Sequence, residues 1–340
     1  MDTTTLSRLA EFEKVTRSFR LKNGNDAAIP LVNHALEFFF KERQYQCAID
    51  ITTQYAECLS KNNIDIEEPA FELLADSVSK FANFAEIENK EGNSQAEQLL
   101  NTARCKCVDL AIQWTKQKAT TPSEKKYGSA AFHTILAKKF VSVDHVELAK
   151  NHFLLSDDHK SFAKFLHQEY KKEHEGENEA DFIIVEAVLQ TLCLDRFPFA
   201  VALFNDYVAP SKYPFELPLL NFQHILFDVI ETENQPQYSE LTAIYQTELK
   251  KSYSFIGYLT RIGKIYFGIR DNQCMSGGLG GLLSGLLGTS KEEETAISHI
   301  TSRTPARQKP SASFQKTPIG AFPLPAAPAP KKVEVEEDLD

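Results

Sequence analysis

Five histidines, at positions 145, 152, 159, 167 and 174, recur about every seven residues, a rhythm that could gather metal ligands on one helical face. Geometry argues against a single centre. Residues seven apart on a helix stand about 10.5 Å apart along its axis, whereas zinc nitrogen ligands sit about 2.1 Å from one ion. The series reads instead as histidines on a polar face or satisfied in loops. Cys105 and Cys107 fail similarly, because helical positions two apart point about 200° apart. For nucleophilic chemistry there is no GxSxG elbow and no protease-type cysteine context. A helical hydrolase would have to use Cys193 or Glu186, and would need an open cleft with a perturbed titrating group. For nucleotide chemistry there is neither GxxxxGKS/T nor a strand followed by GxGxxG. The glycines of GGLGGLLSGLLG, residues 277–288, lack the lysine and the strand-to-helix setting of a phosphate cradle. No catalytic residue, cofactor or metal is therefore expected. The acidic cluster Asp65, Glu67, Glu68, Glu72 and Asp76 reads as a solvated helix start or as a docking lip for a basic partner.

The elements that would position these groups are helical throughout. Phe182 to Leu194, FIIVEAVLQTLCL, is apolar at ten of thirteen positions and reads as a central helix covered on all sides. It is too short to span a bilayer, which takes about 20 apolar residues. Before it, Leu6, Leu9, Phe12, Val15 and Phe19 form one stripe at spacings of three and four, and Val32, Leu36, Phe39 and Phe40 another. A third runs through Ile51, Tyr55 and Leu59. Pro69 fits a first helical turn ahead of Phe71, Leu74, Val78 and Phe81. Ser94 with Glu97 makes a candidate capping box, Thr121-Pro122-Ser123 a break before a helix through Leu136, and Ser142 a candidate cap for a helix to Leu155. Asp157 or Asp158 would cap the next. Further helices are expected over 199–208, 217–230, 239–249 and 254–267.

No period-two strand pattern appears, so the chain is expected to be all-α. The expected architecture is an α-solenoid of antiparallel, TPR-like helix pairs over residues 1–270, with about thirteen helices. A Gly/Leu-rich segment, 271–288, follows. Beyond it lies a Pro-rich tail, 289–340, holding seven of the fifteen prolines, whose composition cannot offset the cost of ordering. With 47 acidic and 37 basic residues, a net charge of −10, the chain lacks the general positive field of a nucleic-acid binder. The opening carries no secretory signal, and no segment suits stable membrane insertion, so a cytosolic location with reduced cysteines is expected.

The second half resembles a known family. VEAVLQTLCL (185–194), PLLNF (218–222), YLTRIGKIYFG (258–268) and GGLGGLLSGLLG (277–288) are similar, in the same order, to segments of the Golgi-to-ER traffic protein 4 family. That family is the helical adaptor of the pathway for guided entry of tail-anchored membrane proteins. The resemblance implies a non-enzymatic cytosolic α-solenoid. Its N-terminal half would dock a targeting ATPase, and its C-terminal half a ubiquitin-like subunit or, in animals, a BAG-domain scaffold. It further implies a C-terminal partner site near Leu259, Arg261, Ile262, Lys264, Tyr266 and Phe267. Leu279, Leu282, Leu283, Leu286 and Leu287 would form a flexible clasp, and the acidic cluster at 65–76 would face the ATPase. Residues 1–28 lack the family's aromatic-rich opening. The alternative is a helical-repeat scaffold of another cytosolic complex, proteasome-lid-like in kind.

Overall fold

The structure, a computed structural model, describes residues 25–61, 68–173, 180–211 and 217–269. Among these there are fourteen helices and no strand. In chain order they are α1 (Asn25–Lys41), α2 (Tyr45–Lys61), α3 (Glu68–Lys90), α4 (Ser94–Gln117), α5 (Pro122–Tyr127), α6 (Ala130–Ser142) and α7 (Val146–Phe153). There follow α8 (His159–Glu173), α9 (Ala180–Cys193), α10 (Phe197–Val208), α11 (Pro218–Glu231), α12 (Gln235–Ile244), α13 (Gln246–Leu249) and α14 (Tyr253–Phe267). The expected helix at 4–20 and the segments 271–288 and 289–340 lie outside the described residues.

One connector is used five times. α1 and α2, α3 and α4, α6 and α7, α9 and α10, and α11 and α12 are each joined by three residues, with the middle one at positive φ. Those middle residues are Arg43 (52°), Gly92 (80°), Asp144 (60°), Asp195 (60°) and Glu233 (52°). In every case the N–H of the third residue returns to the carbonyl five positions back: Gln44 to Phe39, Asn93 to Glu88, His145 to Phe140, Arg196 to Thr191 and Asn234 to Val229. This is the left-handed Schellman stop, which satisfies the orphan carbonyls of one helix and turns the chain into the next. Five hairpins with one stop give the backbone a repeat that the side chains do not share.

The helices then pack mostly on near neighbours in sequence: α3 on α4 and α6, α2 on α4, α6 on α7, and α8 on α10. The exception is α9, which touches α8, α10, α11 and, five helices onward, α14. Its apolar residues are consumed by these neighbours. Ile184, Val185, Ala187, Val188, Leu189 and Leu192 have no exposed surface. The sequence expectation of a helix covered all round is met by its position.

Several local expectations needed correction. The cap of α4 is Asn93, whose side chain accepts from Ala96 N, so Ser94 is the first helical residue. Thr121 and Glu124 form the capping box instead, and the helix expected through Leu136 is two, because Gly128 turns the chain at φ 91°. Ser142 ends α6 rather than starting α7. Asp158 does cap α8, accepting from Ser161 N at 2.9 Å. The stretch 239–249 falls in two helices, broken at Tyr245.

Candidate partner-binding surfaces

The residues expected at the C-terminal site sit on α14, and most of them serve to hold it in place. The connector serves some of the last carbonyls of α9, Leu192 O accepting from Asp195 N at 2.9 Å, and side chains of α14 add donors. Arg261 Nε donates to Cys193 O at 3.0 Å and the Tyr266 hydroxyl to Leu192 O at 3.2 Å. Gln190 Nε2 donates to the Tyr258 hydroxyl at 2.8 Å. From the other side the Tyr238 hydroxyl donates to Leu259 O at 2.6 Å, and its ring stacks on Phe267 at 4.5 Å. Leu259, Ile262 and Tyr266 are buried, and Arg261 and Phe267 are half-buried. Of the six, Lys264 alone is exposed. The resemblance named all six, and the three- and four-residue spacing of Leu259, Ile262 and Tyr266 is that of a buried stripe.

The helix ends on Gly268 at φ 65°, whose left-handed turn sends Ile269 N back to Gly263 O at 3.1 Å. Gly263 leaves room for this return. A Cβ there would stand 3.2 Å from Ile269 Cδ1. The chain therefore leaves the body tightly held up to Ile269. The five leucines of the expected clasp lie outside the described residues. Ile244 and Tyr253, on either side of α13, are large apolar side chains with about two-thirds of their surface exposed (69% and 66%), and sequence periodicity did not single them out.

The acidic cluster divides. Asp65 and Glu67 lie outside the described residues, and Glu68 is exposed in the first turn of α3. Glu72 and Asp76 reach across to α6, where Lys139 Nζ stands 3.0 Å and 3.1 Å from their carboxylates. Burial pushes the Asp76 carboxyl up, but Lys139 and Lys80 together hold it below the usual carboxylate range. These two charges thus pair helices as well as face solvent.

The histidines are dispersed into separate contacts. His152 Nδ1 lies 2.9 Å from Nδ1 of His133, a residue outside the seven-residue rhythm, and His133 Nε2 donates to Tyr127 O at 3.0 Å. His159 binds Asp206 at 2.5 Å, and His167 stacks on Tyr207 with ring centroids 4.0 Å apart. His145 stands at the start of α7, 3.7 Å from Glu86, and His174 lies outside the described residues. Among the described residues no group of three or more His, Cys, Asp or Glu could hold a metal ion. Burial pushes the Cys193 thiol up to about 12, and Glu186 is held by Lys150 at 2.6 Å, an arrangement that activates neither as a nucleophile. No described helix is long and apolar enough to cross a membrane.

The family model for Golgi to ER traffic protein 4 matches residues 22–287. The Golgi to ER traffic protein 4 homolog B of Xenopus laevis is 30% identical over 263 residues, covering 75% of this chain and 74% of that one. The Homo sapiens homolog is 29% identical over 263 residues, with the same coverage. The crystal structure of C. therm. Get4 aligns over 82% of this chain and 96% of that one, at 18% identity and a TM-score of 0.45. A family match that covers most of the chain, and all of the described body from α1 to α14, shows that the chain belongs to the Golgi to ER traffic protein 4 family.

Proposed function

We propose that the chain is a non-enzymatic cytosolic adaptor that brings a client-carrying chaperone module to a targeting ATPase during delivery of tail-anchored membrane proteins to the ER. The observation that carries this reading is the family match over residues 22–287. Two grips on one rigid body raise the local concentration of client and acceptor without new contacts between them. The five repeated hairpin stops are what would make the body rigid enough to serve.

In this reading the N-terminal half meets the ATPase through the acidic lip, where Glu68 and the outer oxygens of Glu72 are the accessible carboxylates. The C-terminal half holds a ubiquitin-like or BAG-domain subunit through Lys264, the exposed Ile244 and Tyr253, and the leucines at 279, 282, 283, 286 and 287. Leu259, Ile262 and Tyr266 support that surface from beneath, and Arg261 anchors α14.

Co-purification of the tagged full chain from its own cytosol, with bound proteins identified by mass, tests this. A ubiquitin-like or BAG-domain subunit together with a targeting ATPase is the expected recovery. Replacing the five clasp leucines by serine should diminish the first and spare the second. Recovery of proteasome-lid subunits in their place would overturn the adaptor reading in favour of a scaffold of another complex.

A further inference from the structure

A groove of about 540 Å³ opens between α8 and α10, far in sequence from both docking regions discussed above. Lys160, Lys164, His167 and Asp206 line it, with Ala163 and Pro210. Lys160 and Lys164 are both exposed and stand one helical turn apart on α8, so their stems run along the same wall. Like charges at this spacing repel, and neither lysine is in an ion pair among the described residues. Other lysines nearby are engaged: Lys138 with Asp158 at 2.7 Å, Lys150 with Glu186 at 2.6 Å, and Lys139 with Glu72 and Asp76. The one carboxylate in the lining, Asp206, is bound by His159 at 2.5 Å. The groove therefore presents two uncommitted cations on an acidic protein.

His167, one turn beyond Lys164 on α8, ties this wall to α10. His167 lies parallel to the Tyr207 ring, at an interplanar angle of 2°, and its Nε2 bonds Tyr207 O at 2.9 Å, which leaves Nδ1 uncommitted. Ala163, the lysine stems and Pro210 give an apolar floor between the polar groups. A lone phosphate would occupy a small part of this volume and leave the floor uncovered. A nucleic acid carries a charge at every phosphate, and two lysines on a chain of net charge −10 would neutralise few of them. An extended peptide with carboxylates flanking an apolar side chain matches both the charge and the floor.

We propose that this groove docks an acidic peptide segment of a partner protein, its carboxylates on Lys160 and Lys164 and an apolar side chain over Ala163 and Pro210. The contact is separate from the two grips of the adaptor and would give the body a third.

The test is fluorescence anisotropy of the full chain with a labelled peptide of Asp, Glu and Leu, alongside the same peptide with Lys replacing its acids. The acidic peptide should bind and the basic one should not, and added salt should weaken the binding. The double reversal Lys160→Glu and Lys164→Glu should weaken it about tenfold or more. The reversal Lys106→Glu and Lys250→Glu, at exposed sites elsewhere with the same change in net charge, should leave it unchanged. All four positions are exposed, so folding is not at issue; equal thermal midpoints would check this. Equal loss in both double variants would show a diffuse charge effect and overturn the site. So would binding of anionic phosphatidylserine vesicles, lost on reversal of Lys160 and Lys164, without binding of the peptide.

Discussion

The Tyr45 hydroxyl donates to Glu88 Oε1 at 2.5 Å, tying the start of α2 to the end of α3 across 43 residues. Glu88 is 1% exposed and also accepts from Asn93 Nδ2 at 2.7 Å and from Arg43 at 3.1 Å. One carboxylate thus joins the connector after α1, the first residue of α2 and the cap of α4. Its removal strands the Tyr45 hydroxyl and the Asn93 amide in a closed environment. Glu88→Ala should cost about 2–4 kcal/mol in chemical denaturation, and Glu88→Gln, which keeps an acceptor, about half of that. Arg43, half exposed, contributes little of this. Equal stability of all three proteins would refute the joint.

The buried histidine pair sets an acid limit. Since His133 Nε2–H donates to Tyr127 O, its Nδ1 is the acceptor, and His152 Nδ1–H must be the donor between them. A proton on one ring can leave this bond in place, whereas charging both rings sets N–H against N–H, so it is burial that chiefly resists protonation. Burial lowers His133 to about 4 from an ordinary 6.5, with Arg196 and Lys116 adding to it against the Tyr127 bond. Burial likewise holds His152 well below the ordinary value, with His133 and Arg104 adding to the effect. Between those pH values the unfolded chain binds more protons than the folded one, so stability is full above about 6.5 and falls as pH drops toward 4. The slope from each histidine is about 1.4 kcal/mol per pH unit. Denaturation midpoints measured across this range should show it. His152→Leu should remove about half of the slope.

The fold class was open to sequence reading because it rests on apolar spacing. The stripes through Val32, Leu36 and Phe39, or through Phe71, Leu74 and Val78, are buried as their period requires. The repeat was not open to it. Its marker is a backbone dihedral, borne in turn by Arg43, Gly92, Asp144, Asp195 and Glu233, residues with no shared side-chain chemistry. The residues named on α14 are divided by burial, Ile262 in the core and Lys264 on the surface. A resemblance over a segment marks a stretch and not a face, so Ile262 was named with Lys264. The exposed Ile244 and Tyr253 fall at helix ends, where period carries no information.

Those dihedrals make a prediction of their own. A side chain in the left-handed region is strained by contact between Cβ and the backbone, and glycine is not. Glu233 is exposed at φ 52° between α11 and α12. Glu233→Gly should raise stability by about 0.5–1 kcal/mol, the strain relieved outweighing the extra freedom of the unfolded chain. Loss of stability would mean that the Glu233 side chain contributes more than its backbone costs.

Gln223, fully buried on α11, has neither amide atom bonded. Two unmet hydrogen-bonding groups in an apolar setting are costly, and a methionine has nearly the same shape. Gln223→Met should stabilise the chain by about 1–2 kcal/mol in urea denaturation. A buried water bridging both atoms would reverse the sign, since the substitution would then discard good bonds.

The last prediction separates support from contact on α14. Tyr266 is 5% exposed and its hydroxyl is a second donor to the carbonyl of Leu192, whereas Lys264, on the same helix, is exposed. Tyr266→Phe removes one bond while keeping the ring, so it should cost about 0.5–1.5 kcal/mol of stability and leave capture of the C-terminal partner intact. Lys264→Glu reverses a surface charge, so it should leave the denaturation midpoint within about 0.5 kcal/mol and weaken partner capture. The two measurements must cross for the assignment to stand. If Tyr266→Phe weakens capture at unchanged stability, the buried face of α14 opens on binding, leaving the Leu192 carbonyl to the Asp195 N–H alone.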